Sequence, residues 1–415
     1  MDFDLSPEQK RLKDAARELA RDFATRAATH DRERSAPVEN YAALRDAGMF
    51  GIAVPKELGG LGVGAIGWVA VAEELAQGCG ATALAFNMHM NATGGISDRQ
   101  RIPLAVRQRV ADLAIKDGKL MCTSATEPGT SSLLPSSYVF SIEARRVPGG
   151  YRIHGRKTFC SMVESSDYCY LFAHPQNHPN PTQLIALLVD AKQKEITFTD
   201  IWDTLGMRAT RSNQADFDGA FVPDDLVLYE ISDFTRGFIV EESTWAFGGF
   251  AACYLGVGLG IVKWAQEFLS HRMARGHTQV MGYHPDVARR VGDMVTEIEA
   301  ARYMVYRAAW EHDAHGPTMA AFDWFLRAKL AVGNALQRII NNVTIACGVN
   351  SLMRARELER MIRDAMTGPI MPPASDACSG AIGLMSMGLD LDQAPSLRTE
   401  DPAVTIRTRN KEASR

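Results

Sequence analysis

The sequence predicts an α+β protein in three successive regions, helical, then β, then helical again. Apolar residues recur at helical spacing up to about residue 118 and again beyond residue 233. Between them, short runs rich in aromatic and β-branched residues are separated by turn residues. At 415 residues, 46% apolar and 23% charged, the chain is long and ordinary enough for two or three cored domains. The expected division is an all-α domain over 1–118, a small β-barrel or sandwich over 119–232, a four-helix bundle over 233–389, and a polar tail over 390–415.

The first helix is announced by Ser6-Pro7-Glu8-Gln9, which offers an N-cap, a proline at the first helical position and a capping-box glutamine. Leu12, Ala16, Leu19, Ala20 and Phe23 then form one apolar stripe. Further helices are expected over Asn40 to Ala47, Ala65 to Ala76 and Leu104 to Ile115, the last closed by Asp117-Gly118. Strand signals begin near Leu120. Tyr138 to Ile142, the turn Pro148-Gly149-Gly150 and Tyr151 to His154 read as a hairpin. Tyr168 to Ala173, Leu184 to Val189, Ile196 to Ile201 and Ala215 to Val222 bring the set to roughly seven short strands. The proline-bearing stretch His174 to Thr182 reads as an exposed connector. Long amphipathic periods then cover Trp245 to Arg272, Pro285 to His312, Thr318 to Cys347 and Glu357 to Ala365, with a break at Gly316-Pro317.

Composition excludes several classes of function. A net charge of −4, with the short basic runs Arg289-Arg290 and Arg354 to Arg363 read as solvated helix faces, argues against a nucleic-acid surface. Seven scattered cysteines without a CxxC pair point to reduced thiols in the cytoplasm, not a disulfide frame or a zinc site. The acidic start is unlike a signal peptide. The apolar run Phe247 to Val262 is too short to span a bilayer and reads as a buried helix. Ten histidines lack metal-ligand spacing, and His312-Asp313-Ala314-His315 reads as a helix end. Gly256-Val257-Gly258-Leu259-Gly260 follows no strand, so it reads as close helix packing, not a dinucleotide loop.

Three segments bear a likeness to one family. Thr126-Glu127-Pro128-Gly129-Thr130-Ser131-Ser132 resembles the T-E-P-x-A-G-S-D loop of acyl-CoA dehydrogenases. Gly155-Arg156-Lys157-Thr158-Phe159-Cys160-Ser161 resembles their G-x-K-x-[WF]-I-[TS]-N, with Met162 in place of Asn. Leu205-Gly206-Met207-Arg208-Ala209-Thr210-Arg211-Ser212 with Phe217 to Pro223 resembles L-G-x-R-x-S-x-T followed by F-D-x-V-x-V-P. Pro55 to Gly62 and Arg363-Asp364-Ala365 match the family's P-x-x-x-G-G-x-G and R-D-A.

The resemblance implies a flavin, FAD in most members, cradled by Thr126, Ser132, Phe159 and Ser161, with Arg208 toward the substrate. It implies an acyl-CoA or acyl-carrier thioester substrate, α,β-desaturation with hydride transfer to flavin N5, an electron-transfer flavoprotein as partner, and a homo-oligomer such as a tetramer. Such desaturation needs a carboxylate to take the α-proton. At the family's two places for that Glu this chain has Pro372 and Ala246. Glu242, one helical turn before Ala246, and Asp376, four residues past Pro372, are the nearest candidates. The family's R-K-T-F-G clamp on the FAD phosphates reads Arg272-Met273-Ala274-Arg275-Gly276, and its Q-x-x-G-G-x-G loop keeps only Gly348. Two alternatives therefore stand beside the dehydrogenase. One is a flavin monooxygenase of the same fold, fed FMN or transiently reduced flavin by a flavin reductase. The other is a base-less subunit of a mixed tetramer.

Overall fold

A computed structural model of the chain describes residues 4–129, 140–180, 183–232, 240–389 and 391. Five helices come first: α1 (Pro7–Glu33), α2 (Val38–Asp46), α3 (Gly64–Gly78), α4 (Gly80–Asp98) and α5 (Leu104–Ile115). The capping box forms as its sequence dictates. The Ser6 hydroxyl accepts from the Gln9 amide at 3.2 Å, and the Gln9 side chain accepts from the Ser6 amide at 2.9 Å. The α1 stripe packs on α3 so closely that a Cβ on Gly78 would stand 2.0 Å from the Ala20 carbonyl oxygen. Sequence periodicity misses α4. Nearly every one of its residues is buried, so it has no polar face to set a period.

Among the described residues eight strands follow: β1 (Met121–Ser124), β2 (Glu143–Val147), β3 (Gly150–Cys160), β4 (Tyr168–Pro175), β5 (Leu184–Asp190), β6 (Ile196–Thr199), β7 (Asn213–Pro223) and β8 (Val227–Ile231). They form one mixed sheet in the order β6-β7-β3-β2-β4-β5-β8, with β1 parallel to β4. The hairpin turns at Pro148-Gly149 as expected. Its first strand is described from Glu143, with Phe140 to Ile142 irregular; Tyr138 and Val139 lie outside the described residues. Ile142 stays irregular because a Glu127 oxygen takes its backbone N–H at 3.5 Å in place of a strand partner.

A π-helical turn, Thr244–Gly248, leads into α6 (Gly249–His271), then α7 (Pro285–His315), α8 (Met319–Cys347), α9 (Glu357–Met366) and α10 (Ser375–Ser386). The span Thr244–His271 is long and apolar enough to cross a membrane, yet 89% of its most apolar stretch is buried against other helices. It is a core helix. Its glycines permit that packing: a Cβ on Gly256 would meet the Glu73 carbonyl oxygen at 2.6 Å, and one on Gly258 would meet Ile298 at 2.7 Å.

The three regions are locked together by buried polar contacts. Asp313 at the end of α7 accepts from the Ala65 and Ile66 amides, at 2.7 and 3.0 Å, and so caps α3 from another domain. Glu73 on α3 pairs with Lys13 of α1 and Arg302 of α7 at 2.5 and 2.7 Å. The basic run Arg354 to Arg363 is not the solvated face expected from composition. Arg360 is buried on Glu357 and Asp364, and Arg363 clamps Asp31 at 2.6 Å. The tail over 390–415 lies, apart from Leu391, outside the described residues.

Candidate functional site

Three stretches meet along one side of the β domain. The Thr126 carbonyl accepts from the Thr158 amide at 3.0 Å, and the Met162 amide donates to the Thr210 carbonyl at 2.9 Å. The Thr126 loop, the end of β3 and the 205–213 segment are thereby stitched together. Among the described residues six non-glycines have φ in the left-handed region, and four of them belong to the second and third of these stretches: Phe159, Met162, Met207 and Arg211. Such backbone costs of order 1 kcal/mol or more each and persists only where surroundings enforce it. The enforcement is visible. A buried ion pair, Glu127 to Lys157 at 2.8 Å, fixes the loop to β3, and Glu127 also holds the Ser141 amide and hydroxyl. The Glu of the first motif and the Lys of the second are thus partners. Burial pulls the Lys157 ammonium below its ordinary range against the opposing pull of Glu127.

Where β3 breaks register between Lys157 and Cys160, the Phe159 ring is turned outward, 56% exposed, with its edge near Trp202 at a centroid distance of 5.9 Å. Beside it runs a chain of hydroxyls. Thr210 spends its proton on the Met207 carbonyl at 2.8 Å, so Ser212 must donate to Thr210 at 2.7 Å and Ser161 to Ser212 at 2.9 Å. Ser161 is left as an acceptor, itself buried beside the exposed Phe159 ring. An exposed aromatic, a directed acceptor and polar loop amides suit a flat heteroaromatic ring that carries N–H groups. Ser132 lies outside the described residues.

The third stretch owes its position to α9. Gly206 sits so near α9 that a Cβ would come 2.1 Å from the Arg363 carbonyl oxygen, and Asp364 accepts the Met207 amide at 2.6 Å. Burial raises the Asp364 carboxyl above its usual range, offset by Arg360. The Arg208 guanidinium is turned to the Asp31 and Thr204 carbonyls, at 2.9 and 2.6 Å, and to Asp203 at 3.0 Å. It ties the segment to α1.

The base candidates are placed as follows. Glu242 stands before the π turn, buried, and its Oε1 accepts from Arg99 and from the Tyr170 and Tyr229 hydroxyls at 2.6 and 3.1 Å. Burial, then the Glu242 charge, pushes the Tyr170 phenol far above its ordinary range, so it stays a donor. Asp376 is exposed in the first turn of α10, where the helix dipole favours its charge. Ala246 is buried with its carbonyl on Asn87 at 3.4 Å, and Pro372 begins the turn before α10. Arg99, Tyr170 and Tyr229 were not singled out from sequence, because their partners are up to 143 residues away. Arg272 is exposed at the end of α6 over the Phe268 ring, 5.3 Å from guanidinium to centroid, with Arg356 5.1 Å from the same ring. Neither has an ion-pair partner among the described residues. Gly348, at φ 58°, ends α8 with open space where a side chain would be.

A helical domain, a mixed sheet and a helical bundle, in that order, are the architecture of a flavin-dependent oxidoreductase. Profiles of the acyl-CoA dehydrogenase N-terminal, middle and C-terminal domains match residues 6–98, 122–220 and 243–372. The chain belongs to the acyl-CoA dehydrogenase family. Among its relatives is a short-chain-specific acyl-CoA dehydrogenase of Clostridium acetobutylicum, 27% identical over 91% of this chain and 97% of its own. The butyryl-CoA dehydrogenase of Megasphaera elsdenii superposes with a TM-score of 0.84 at 19% identity, over 93% of this chain and 100% of its own. TdsC of Paenibacillus sp. A11-2, a dibenzothiophene monooxygenase solved with FMN, superposes at 0.81 and 21% identity, over 91% and 97%.

Proposed function

We propose that this chain is a flavin-dependent monooxygenase of the acyl-CoA dehydrogenase fold, one that receives reduced flavin from a separate reductase. The observation that carries this reading is the state of Glu242. Its Oε1 is taken up by Arg99, Tyr170 and Tyr229, and its charge, together with that of Glu241, balances the buried Arg99 guanidinium, so Glu242 serves an ion-pair network and protonating it would weaken that balance. Asp376 faces solvent, and the family's two Glu positions are Ala246 and Pro372. Oxygen transfer needs no α-proton base. Ser161, held as an acceptor, suits the extra ring N–H that a flavin gains on reduction. When bound, the flavin supplies the redox chemistry; this chain supplies Phe159 as a platform, Ser161 as an acceptor and the Thr126 loop amides.

A second reading, a thioester dehydrogenase that holds FAD and feeds an electron-transfer flavoprotein, is favoured by the short-chain-specific relative and by Arg272. Arg272 and Arg356, without ion-pair partners among the described residues, could hold the FAD phosphates of a neighbouring copy, with Gly348 giving close approach. One experiment separates the two. Protein loaded with FMN or FAD is mixed with butyryl-CoA in the absence of oxygen, and separately with flavin, a reductase, NADH and oxygen. The monooxygenase reading expects no bleaching by the thioester, and reduced flavin that binds more tightly than oxidised. Bleaching by butyryl-CoA within seconds would replace it with the dehydrogenase.

A further inference from the structure

The Phe159 platform is an exposed ring on a left-handed backbone, φ 56°. A side chain so little buried keeps its rotamer freedom, and fixing it when a ligand binds costs affinity. Among the described residues Trp202 is the aromatic that meets it, with the two rings 63° apart at a centroid distance of 5.9 Å. That is the arrangement of an attractive edge-to-face pair. Trp202 is partly buried in the irregular segment between β6 and β7 and is anchored at two points. Its indole N–H donates to the Met207 carbonyl at 2.9 Å. Its backbone N–H and that of Ile201 both donate to Asn213 Oδ1 at 3.2 Å. Asn213 is fully buried, and its amide nitrogen donates to Glu164 at 2.9 Å, which Arg211 pairs at 3.1 Å. The Met207 carbonyl also accepts from the Thr210 amide at 3.1 Å and the Thr210 hydroxyl at 2.8 Å. The oxygen that orients the indole is therefore the one that starts the hydroxyl chain ending at Ser161.

We propose that Trp202 is the positioning residue of the ring site: by its contact with Phe159 it sets the tilt of that ring before a flavin arrives. It acts through Phe159 and not on the flavin itself. Because the indole hangs from the Met207 carbonyl, the platform and the Ser161 acceptor are held in one fixed relation. A platform already in place leaves less freedom to lose on binding, and affinity rises accordingly. Trp202 lies outside the three segments that carry the family likeness, three residues before Leu205. The proposal rests on the flavin cradle and adds to it the residue that stiffens it.

The test is FMN titration, followed by fluorescence quenching, of the natural protein, Trp202→Ala, Trp202→Phe, Phe159→Ala and the double variant Phe159→Ala/Trp202→Ala. Trp202→Ala should weaken FMN about three- to tenfold, the worth of one edge-to-face pair. Trp202→Phe keeps a ring against Phe159 and should stay within about twofold of the natural protein. Where Phe159 is already Ala, removing Trp202 should cost less than about twofold, since the contact it acts through is gone. Circular dichroism checks that each variant folds; if Trp202→Ala does not, Trp202→Leu, which fills more of the space without a ring, takes its place in the series. Unchanged affinity in the ringless variant, a Trp202→Phe protein as weak as the ringless one, or the same loss with and without Phe159 overturns the proposal. The flavin reading fails separately: it falls if the natural protein takes up no FMN or FAD, or if Phe159→Ala binds as tightly as the natural protein. FMN held normally by ringless Trp202 variants, but weakly by Phe159→Ala, strikes Trp202 alone.

Discussion

The most informative single residues here are those whose polar atoms are decided by distant partners. Glu127 and Lys157 belong to two different motifs, and each is buried with the other as its counter-charge. Either Glu127→Gln or Lys157→Met alone should destabilise the fold by about 3–5 kcal/mol, because each strands a buried partner. The double variant should recover much of that loss, since an uncharged pair of similar volume has no desolvation to offset. Chemical denaturation of the four proteins in a cycle measures the coupling. A double variant as damaged as the sum of the singles would mean the pair is not coupled as its geometry implies. The same logic applies to Glu242. From spacing it is an acid one turn from Ala246; from its contacts it is a counter-ion of Arg99, shared with Glu241.

At the scale of elements, the cradle is an alliance between a loop and a helix far along the chain. Gly206 and the Arg363-Asp364 turn of α9 touch backbone to backbone, so the loop's conformation is set by where α9 lies. Gly206→Ala should push the two apart at a cost of about 1–3 kcal/mol, the usual range for overpacking. Met207 and Arg211 would then lose the support for their left-handed backbone, and flavin affinity should fall at least tenfold. Fluorescence quenching of FMN by the variant measures this; unchanged affinity would show that α9 does not position the cradle. The π turn at Thr244–Gly248 is a second such alliance. The Thr244 hydroxyl meets His312 at 2.7 Å, and the Trp245 indole donates to Asp98 at 2.6 Å, so side chains from α4 and α7 hold an irregular turn in place.

Across the whole molecule, His89 joins two domains. Its Nε2 donates to the Phe50 carbonyl at 3.0 Å and its Nδ1 accepts from the Met121 amide at 3.1 Å, so the ring must be neutral to serve both. Burial depresses its protonation to about 4 from 6.5. The unfolded chain binds this proton near 6.5 and the folded one only near 4. The contribution to stability is therefore complete above pH 6.5 and is lost as pH falls from 6.5 toward 4, by roughly 3 kcal/mol at most. His89→Gln can donate and accept but does not titrate. Thermal unfolding between pH 7.5 and 4.5 should fall more steeply for the natural protein than for this variant. Parallel profiles would show that His89 does not carry the effect.

What the sequence alone determined is whatever depends on near neighbours. Capping at Ser6, the amphipathic periods of α1, α7 and α8, the hairpin at Pro148-Gly149 and the buried reading of the Phe247 to Val262 run all rest on residues a few positions apart. The helices α4 and α10 escaped it, because a helix buried all round, or one built of small residues, shows no period. The motifs marked which stretches would matter, but not that Glu127 answers Lys157 or that Gly206 rests on Arg363. Those pairings and the counter-ion role of Glu242 were decided only by tertiary structure. Burial and long-range charge pairing set their chemistry, and neither is written in the spacing of residues along a chain.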